Sequence, residues 1–217
     1  MSTEQRVARI EATLLQKQPT LQVMLDSVHN SQNLSTIIRT SDGVGVLDIY
    51  YSTPADETLR IHKTITQGAH RWTRRHRVKE EDKVKFLQEK KSEGFQIVVT
   101  HLESRAVNFR EVDYTKPTLI VMGNEREGVS AEMIAEATDV IVIPMQGMIQ
   151  SLNVSVATAL ILYEAQRQRE DAKLYDTAQL KEEEQEEIKK AWVYRDTIAR
   201  KSKGSIALEF QEDVIVF

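Results

Sequence analysis

The 217-residue chain contains no cysteine. That absence removes disulfide frameworks, thiolate-bound zinc, iron–sulfur centres and thiol nucleophiles together. With 8 glycines and 4 prolines, it also lacks the composition of a collagen-like or low-complexity chain. No apolar run approaches the roughly 20 residues that cross a bilayer, and the opening MSTEQRVARIEATLL is too charged for a signal peptide. The expectation is a cytoplasmic protein without a membrane partner. An excess of positive charge is missing too. The formal net charge is -4, so a nucleic-acid partner would have to meet a local basic patch. What is present is ordinary: 41% hydrophobic and 29% charged residues, as in a folded globular chain. At roughly 150 residues per domain the length reads as one domain with appendages, and such a chain buries roughly 70% of its unfolded surface.

Val7, Ile10, Leu14 and Leu15 form a helical stripe over residues 3–17, with Ser2 and Gln5 as a capping box and Pro19 as the stop. From Leu21 the pattern changes to short apolar runs: LQVML (21–25), VLDIYY (46–51), FQIVVT (95–100), TLIVMG (118–123) and DVIVIPM (139–145). Most are nearly continuous and rich in Val and Ile, as parallel strands covered on both faces require. Helical segments alternate with them, ending in the long apolar SLNVSVATALILYEAQRQR (151–169). The expectation is an α/β domain with a mostly parallel sheet over residues 20–170. It is flanked by an N-terminal helical extension (1–19) and a C-terminal helical tail (171–217). The tail carries five carboxylates between Glu182 and Glu187, and Trp192, Val193 and Ile198 are its expected docking anchors.

The familiar phosphate motifs are absent. Gly43-Val44-Gly45 closes a helix instead of opening one, and Gly123 to Gly128 has Walker-like spacing but is followed by Val129-Ser130 where Lys-Ser/Thr is required. His62, His70 and His76 stand among Arg71, Arg74, Arg75 and Arg77, a field that disfavours a bound cation, so no metal is expected. Residues 60–79 contain Arg60, Lys63, Arg71, Arg74, Arg75, Arg77 and Lys79, a local charge of +7 before Lys79 meets the acids of the next segment, with Trp72 inside. Such a run in an acidic protein suits phosphate contacts, and a merely solvated face is the alternative.

Three polar segments lie at strand ends. In His29-Asn30-Ser31-Gln32-Asn33 through Arg39, a separation of six residues turns about 240° round a helix, so Asn33 and Arg39 do not share a face. Asn33 is expected as a cap or loop residue, with Arg39 pointing out of the helix. Met122-Gly123-Asn124-Glu125 leaves a buried strand at its carboxyl end, where open sheets bind ligands. In the third, 143–153, Ser151 is an expected helix cap, while Met145, Met148 and Ile149 are oddly apolar for a loop and would suit an adenine or a thioether.

Taken in order, HNSQNLSTIIRTSDGVGV, LIVMGNEREGVS and VIPMQGMIQSLNVSVATALILYEAQRQR resemble the three motifs of the SPOUT methyltransferases, specifically the TrmH family; the likeness covers nearly all of residues 5–170 and is weak beyond 171. The resemblance implies a deep trefoil knot near the third motif, S-adenosylmethionine as methyl donor, a homodimer whose second subunit completes the site, and tRNA as substrate. The implied reaction is methylation of the ribose 2′-hydroxyl of the guanosine at tRNA position 18. Ribosomal RNA as substrate, or an RNA-binding protein without activity, are the alternatives. Thr100, Gly123, Ile143 and Leu152 match cofactor positions, with Met148 beside them. Asn33, Arg39, Glu125, Ser151 and Asn153 match catalytic positions. Arg167 and Arg169 match RNA contacts, joining Arg71, Arg74 and Arg75 of the basic run. Family mechanisms give proton removal to the arginine matching Arg39. A guanidinium stays protonated below about pH 12, so a clamp that lowers the hydroxyl's pKa is the alternative role.

Overall fold

Seven parallel strands make one sheet in the computed structural model, which describes residues 3–53, 59–124 and 126–202. In chain order they are β1 (Leu21–Leu25), β2 (Asp48–Tyr51), β3 (Arg74–Arg77), β4 (Gln96–Thr100), β5 (Val107–Asn108), β6 (Thr118–Met122) and β7 (Asp139–Val142), arranged in space as β3-β2-β1-β6-β4-β7-β5. The helices are α1 (Glu4–Leu15), α2 (Ser31–Gly43), α3 (Lys63–Thr66), α4 (Lys83–Ser92), α5 (Ala131–Ala135), α6 (Val154–Asp171) and α7 (Glu182–Ser202).

Alternation along the strands sorts the core into two layers, because successive side chains leave a strand on opposite faces. Val23, Leu25, Val98, Ile120 and Met122 pack with Leu34, Ile37 and Ile38 of α2 and with Ile161, Leu162 and Ala165 of α6. Met24, Ile97, Val99, Leu119 and Val121 pack on the other side with Leu87 of α4 and Met133 of α5. The central strands β1 and β6 are buried along their whole length, which is why LQVML and TLIVM read as unbroken apolar runs. A third cluster joins Ile10 and Leu14 of α1 to Leu47, Leu180, Ile188 and Trp192, so α7 lies against α1.

The structure departs from the sequence expectations at several ends. The basic RRHR segment is strand β3, paired with β2 in the register Asp48↔Arg74, and β5 is a second unforeseen short strand. The last long strand stops at Val142 rather than 145, since Pro144 has no N–H to give a ladder. Thr3, not Ser2 with Gln5, caps α1 by accepting from the Arg6 N–H, and Ser2 itself lies outside the described residues. Helix α6 begins at Val154, and its cap is Asn153, not Ser151. Of the three expected tail anchors, Trp192 is buried and Val193 packs on the same cluster, but Ile198 is 40% exposed.

Candidate functional site

The sheet order makes β6, β4 and β7 direct neighbours, so Thr100, Gly123 and Ile143 stand at or just past three adjacent carboxyl ends. That is the edge at which open parallel sheets bind ligands. Thr100 donates from Oγ1 to the Val121 carbonyl (3.3 Å), tying β4 to β6 there. At Gly123 the chain folds back on itself. A Cβ would stand 2.0 Å from the Gly128 carbonyl carbon and 2.2 Å from the Val129 nitrogen, so only glycine fits. Asn124 and Gly128 exchange backbone hydrogen bonds, and Asn124 Oδ1 accepts from the Arg126 and Glu127 N–H groups (2.9 and 2.8 Å). Glu125 lies outside the described residues. The loop from Ile143 to Asn153 returns the chain to α6 with Ile143 and Leu152 half-buried and Met148 fully exposed.

The first and third segments meet through a pair of asparagines. Asn153 Oδ1 accepts from the Ser155 N–H (2.9 Å), capping α6, while its Nδ2 donates to Asn33 Oδ1 (3.2 Å). Asn33 is buried inside the first turn of α2 and is not a cap, contrary to expectation. The cap is Asn30, whose Oδ1 takes the N–H groups of Gln32 and Asn33. Around this pair opens a cleft of about 610 Å³ lined by His29, Asn30, Ser31, Gln32, Asn33, Arg126 and Asn153. It draws on all three polar segments. Arg126 is the residue that sequence reasoning passed over, although it sits inside the quoted GNEREG stretch. Ser151 is exposed and makes no cap.

Arg39 does not line this cleft. It points out of α2 as expected, and its guanidinium donates to the Ile65 carbonyl at the end of α3 (3.3 Å). The asparagine pair and Arg39 of one chain therefore serve different faces of the same helix.

The arginines expected to touch RNA divide. Arg167 is exposed on α6, bridging Glu164 (2.7 Å) and Asp171 (2.8 Å). Arg71 and Arg75 are half-buried beside the start of β3. Arg74 is committed elsewhere: it forms a two-pronged pair with Asp48 (2.8 and 2.7 Å) and reaches Glu184 of α7 (3.0 Å). The acids that neutralise the basic run thus come from other parts of the chain. Burial alone would raise the Asp48 pKa, but hydrogen bonds from His76 and Arg74 outweigh it and hold the carboxyl below its ordinary value. Arg169 is a plain correction. It is wholly buried, donating to the Tyr114, Thr20 and Lys116 carbonyls, Gln18 Oε1 and Thr20 Oγ1, and burial pushes its pKa down to about 10. It is inaccessible to a ligand from outside. Its task is to stitch α6 to the segments entering β1 and β6.

Among the described residues no three His, Asp or Glu side chains gather as a metal site, and no helix is long and apolar enough to cross a membrane.

Comparison with known proteins matches residues 20–163 to the SpoU rRNA Methylase family. A tRNA (guanosine(18)-2'-O)-methyltransferase of Aquifex aeolicus (strain VF5) is 50% identical over 200 residues, 92% of this chain and 94% of that protein. The crystal structure of the A. aeolicus TrmH/SpoU tRNA modifying enzyme superposes with a TM-score of 0.84 at 51% identity, over 89% of this chain and 97% of that one. An AdoMet-bound rRNA methyltransferase from Sinorhizobium meliloti superposes with a TM-score of 0.62 at 34% identity, over 71% of this chain and 59% of that one.

Proposed function

The chain belongs to the SpoU rRNA Methylase family, and from that premise we infer that it methylates the ribose 2′-hydroxyl of guanosine 18 in tRNA, using S-adenosylmethionine. The observation that carries the substrate is 50% identity across nearly the full length of a relative bearing that activity in its name. The likeness to an rRNA enzyme is weaker and covers 59% of that longer chain, so tRNA is preferred to ribosomal RNA.

The strand-end edge fits the methyl donor. Gly123 presents bare backbone, Ile143 and Leu152 offer half-buried apolar side chains, and Thr100 is held between two strands. These residues, with Met148 from the exposed loop, would hold S-adenosylmethionine, which supplies a methyl group on a positively charged sulfur. Its methyl would pass to the 2′-oxygen, the sulfur keeping the electron pair of the broken C–S bond, and the hydroxyl proton would go to a substrate phosphate or to water. Asn33 and Asn153 line the cleft where the ribose would lie, with Ser151, two residues before Asn153, and Glu125, the residue before Arg126 in sequence, assigned to the same site. Arg39 would clamp the ribose or its phosphate and stabilise the developing alkoxide, a positioning task in which a displacement of about 1 Å costs about a hundredfold in rate.

Because Arg39 does not line the cleft of its own chain, the proposal includes a homodimer in which a second copy completes the site. Val156, Leu160 and Tyr163, spaced along one stripe of α6 and 41–55% exposed, support such pairing. It also includes the family's deep trefoil knot around the 143–153 loop, a cytoplasmic setting, and tRNA contacts from Arg71, Arg75 and Arg167. Transfer of tritiated methyl groups from S-adenosylmethionine to bulk tRNA, followed by nucleoside mapping, tests the reading. Label in 2′-O-methylguanosine at position 18 is expected, with Arg39→Ala lowering the rate at least about a hundredfold. No transfer to tRNA, or transfer only to ribosomal RNA when both RNAs are supplied, would overturn it.

A further inference from the structure

Two of the three segments that border the cleft end on one buried carboxylate. Asp26 closes β1, its own N–H donating to the Met122 carbonyl (2.8 Å), and the chain then runs through Ser27 and Val28 into His29–Asn33. Its two oxygens face different elements. Oδ1 accepts from Lys83 Nζ (2.8 Å) at the start of α4, and Oδ2 accepts from the Ser130 N–H (2.7 Å), where the 123–130 turn enters α5. Asp26 is 1% and Lys83 is 4% exposed.

Lys83 is the centre of a wider cluster. Glu80 lies 2.8 Å and Glu132 3.4 Å from its Nζ, and the Ser27 and Ser130 hydroxyls lie 3.4 and 3.5 Å away. Burial would lower the lysine's pKa, but Asp26 and Glu80 hold it above its ordinary value. Burial would likewise raise the Asp26 pKa, yet Lys83 and Ser130 keep it below the usual carboxylate value. Both groups stay charged at neutral pH. Ser27 takes a left-handed backbone (φ 51°), a conformation that costs a non-glycine residue and persists where neighbours enforce it. Here the Ser52 hydroxyl accepts its N–H (2.8 Å).

We propose that Asp26 is a positioning residue for methyl transfer, its carboxylate clamping the 26–33 segment to the 123–130 turn so that Asn33 and Arg126 face each other across the cleft at a fixed separation. The proposal rests on the methyl-transfer reading. Asparagine at this position keeps the shape but offers one oxygen and one NH2, so either Lys83 or the Ser130 N–H meets a donor in place of an acceptor. Either the 123–130 turn loses its acceptor or the 26–33 segment loses its anchor on α4.

Asp26→Asn is the test, with Lys83→Gln as a second variant that keeps the Ser130 bond while removing the lysine. Both are compared with the full-length protein by methylation kinetics on tRNA and by amide hydrogen exchange. The expected result for Asp26→Asn is a kcat at least tenfold lower with the KM for tRNA within threefold, and exchange at least tenfold faster in residues 28–34 and 124–130 while β4 is unchanged; Lys83→Gln, which leaves the Ser130 bond, should lower kcat less than Asp26→Asn. An Asp26→Asn variant of wild-type secondary structure that keeps kcat within twofold would overturn the proposal, whatever its exchange. So would a fall in kcat with unaltered loop exchange. If the wild-type protein itself leaves tRNA unmethylated, the functional reading fails first, and loop exchange alone judges the clamp: faster supports it, unchanged overturns it.

Discussion

Replacing Arg169 by alanine would remove the donor of five hydrogen bonds at 2.9–3.1 Å, each from a guanidinium with no solvent exposure. Three of the acceptors are backbone carbonyls of Thr20, Tyr114 and Lys116, in the segments that lead into β1 and β6. A buried acceptor left without a partner costs about 1–3 kcal/mol. The costs do not add in full, because water can enter the vacated volume and because the charge itself is unfavourably buried, as its pKa of about 10 records. Two or three such acceptors left dry would together cost about 3–5 kcal/mol. Taking about 4 kcal/mol, and about 2–4 °C per kcal/mol for a chain of this size, the melting temperature should fall by roughly 10 °C. Arg169→Lys should recover only part of the loss, since one ammonium cannot span acceptors arranged for a planar fork. The measurement is thermal and urea unfolding followed by circular dichroism. A shift under about 2 °C would refute the structural account. If that small shift came with a fall of roughly 0.9 in the slope of log tRNA affinity against log salt, Arg169 would be a phosphate ligand after all.

The other predictions follow from single contacts. Gly123→Ala places a Cβ 2.0–2.3 Å from the backbone of Gly128 and Val129, so calorimetric titration should show S-adenosylmethionine affinity down at least tenfold, and unchanged affinity would mean the turn plays no part in the cofactor site. Asp48 has a folded pKa below its ordinary 3.8, so the unfolded chain takes up the proton first and stability present above about pH 4 is lost as pH falls through the folded pKa. Asp48→Asn should therefore be less stable at pH 7 and show a flatter acid limb in urea unfolding between about pH 4 and pH 2; an unchanged limb would contradict the pairing with Arg74 and His76. Arg71→Glu with Arg75→Glu, sparing the structurally committed Arg74, should flatten the salt dependence of tRNA affinity by about 0.9 per lost contact. An identical slope in wild type and variant would move the RNA footprint away from this stretch.

The strands that read well from sequence were those whose surroundings are uniform. LQVML and TLIVM are buried on both faces, and burial on both faces leaves only apolar side chains to choose from. β3 escaped because RRHR has no apolar residue and sits at the edge of the sheet, where half-exposed cations satisfy themselves against Asp48 and Glu184. Nothing in a local pattern reveals that those acids arrive from 26 and 110 positions away. The same blindness applied to Arg169. Its neighbours in sequence are Gln168 and Glu170, a solvated helix end by any local reading, whereas the carbonyls that surround it belong to chain segments some 50 to 150 residues distant.

Site residues were legible as segments and not as geometry. Three polar stretches at strand ends stand out in the sequence, but Asn30 and Asn33 are equally good capping residues on composition, so which of them caps α2 is not legible there. The difference decides what Asn33 can do. Asn30 absorbs the N–H groups of Gln32 and Asn33, and this leaves the Asn33 carboxamide to meet Asn153 across 120 positions of sequence. The separation of Asn33 from Arg39 round α2 is legible in the sequence, because it depends only on helix pitch. Its consequence is larger than the sequence suggested. Arg39 lies about 120° round α2 from Asn33 and does not line the asparagine cleft, so on the proposal that Arg39 acts on the ribose, the apolar stripe of α6 and the incomplete cleft point the same way: a second chain approaching along α6 would bring an arginine to the site.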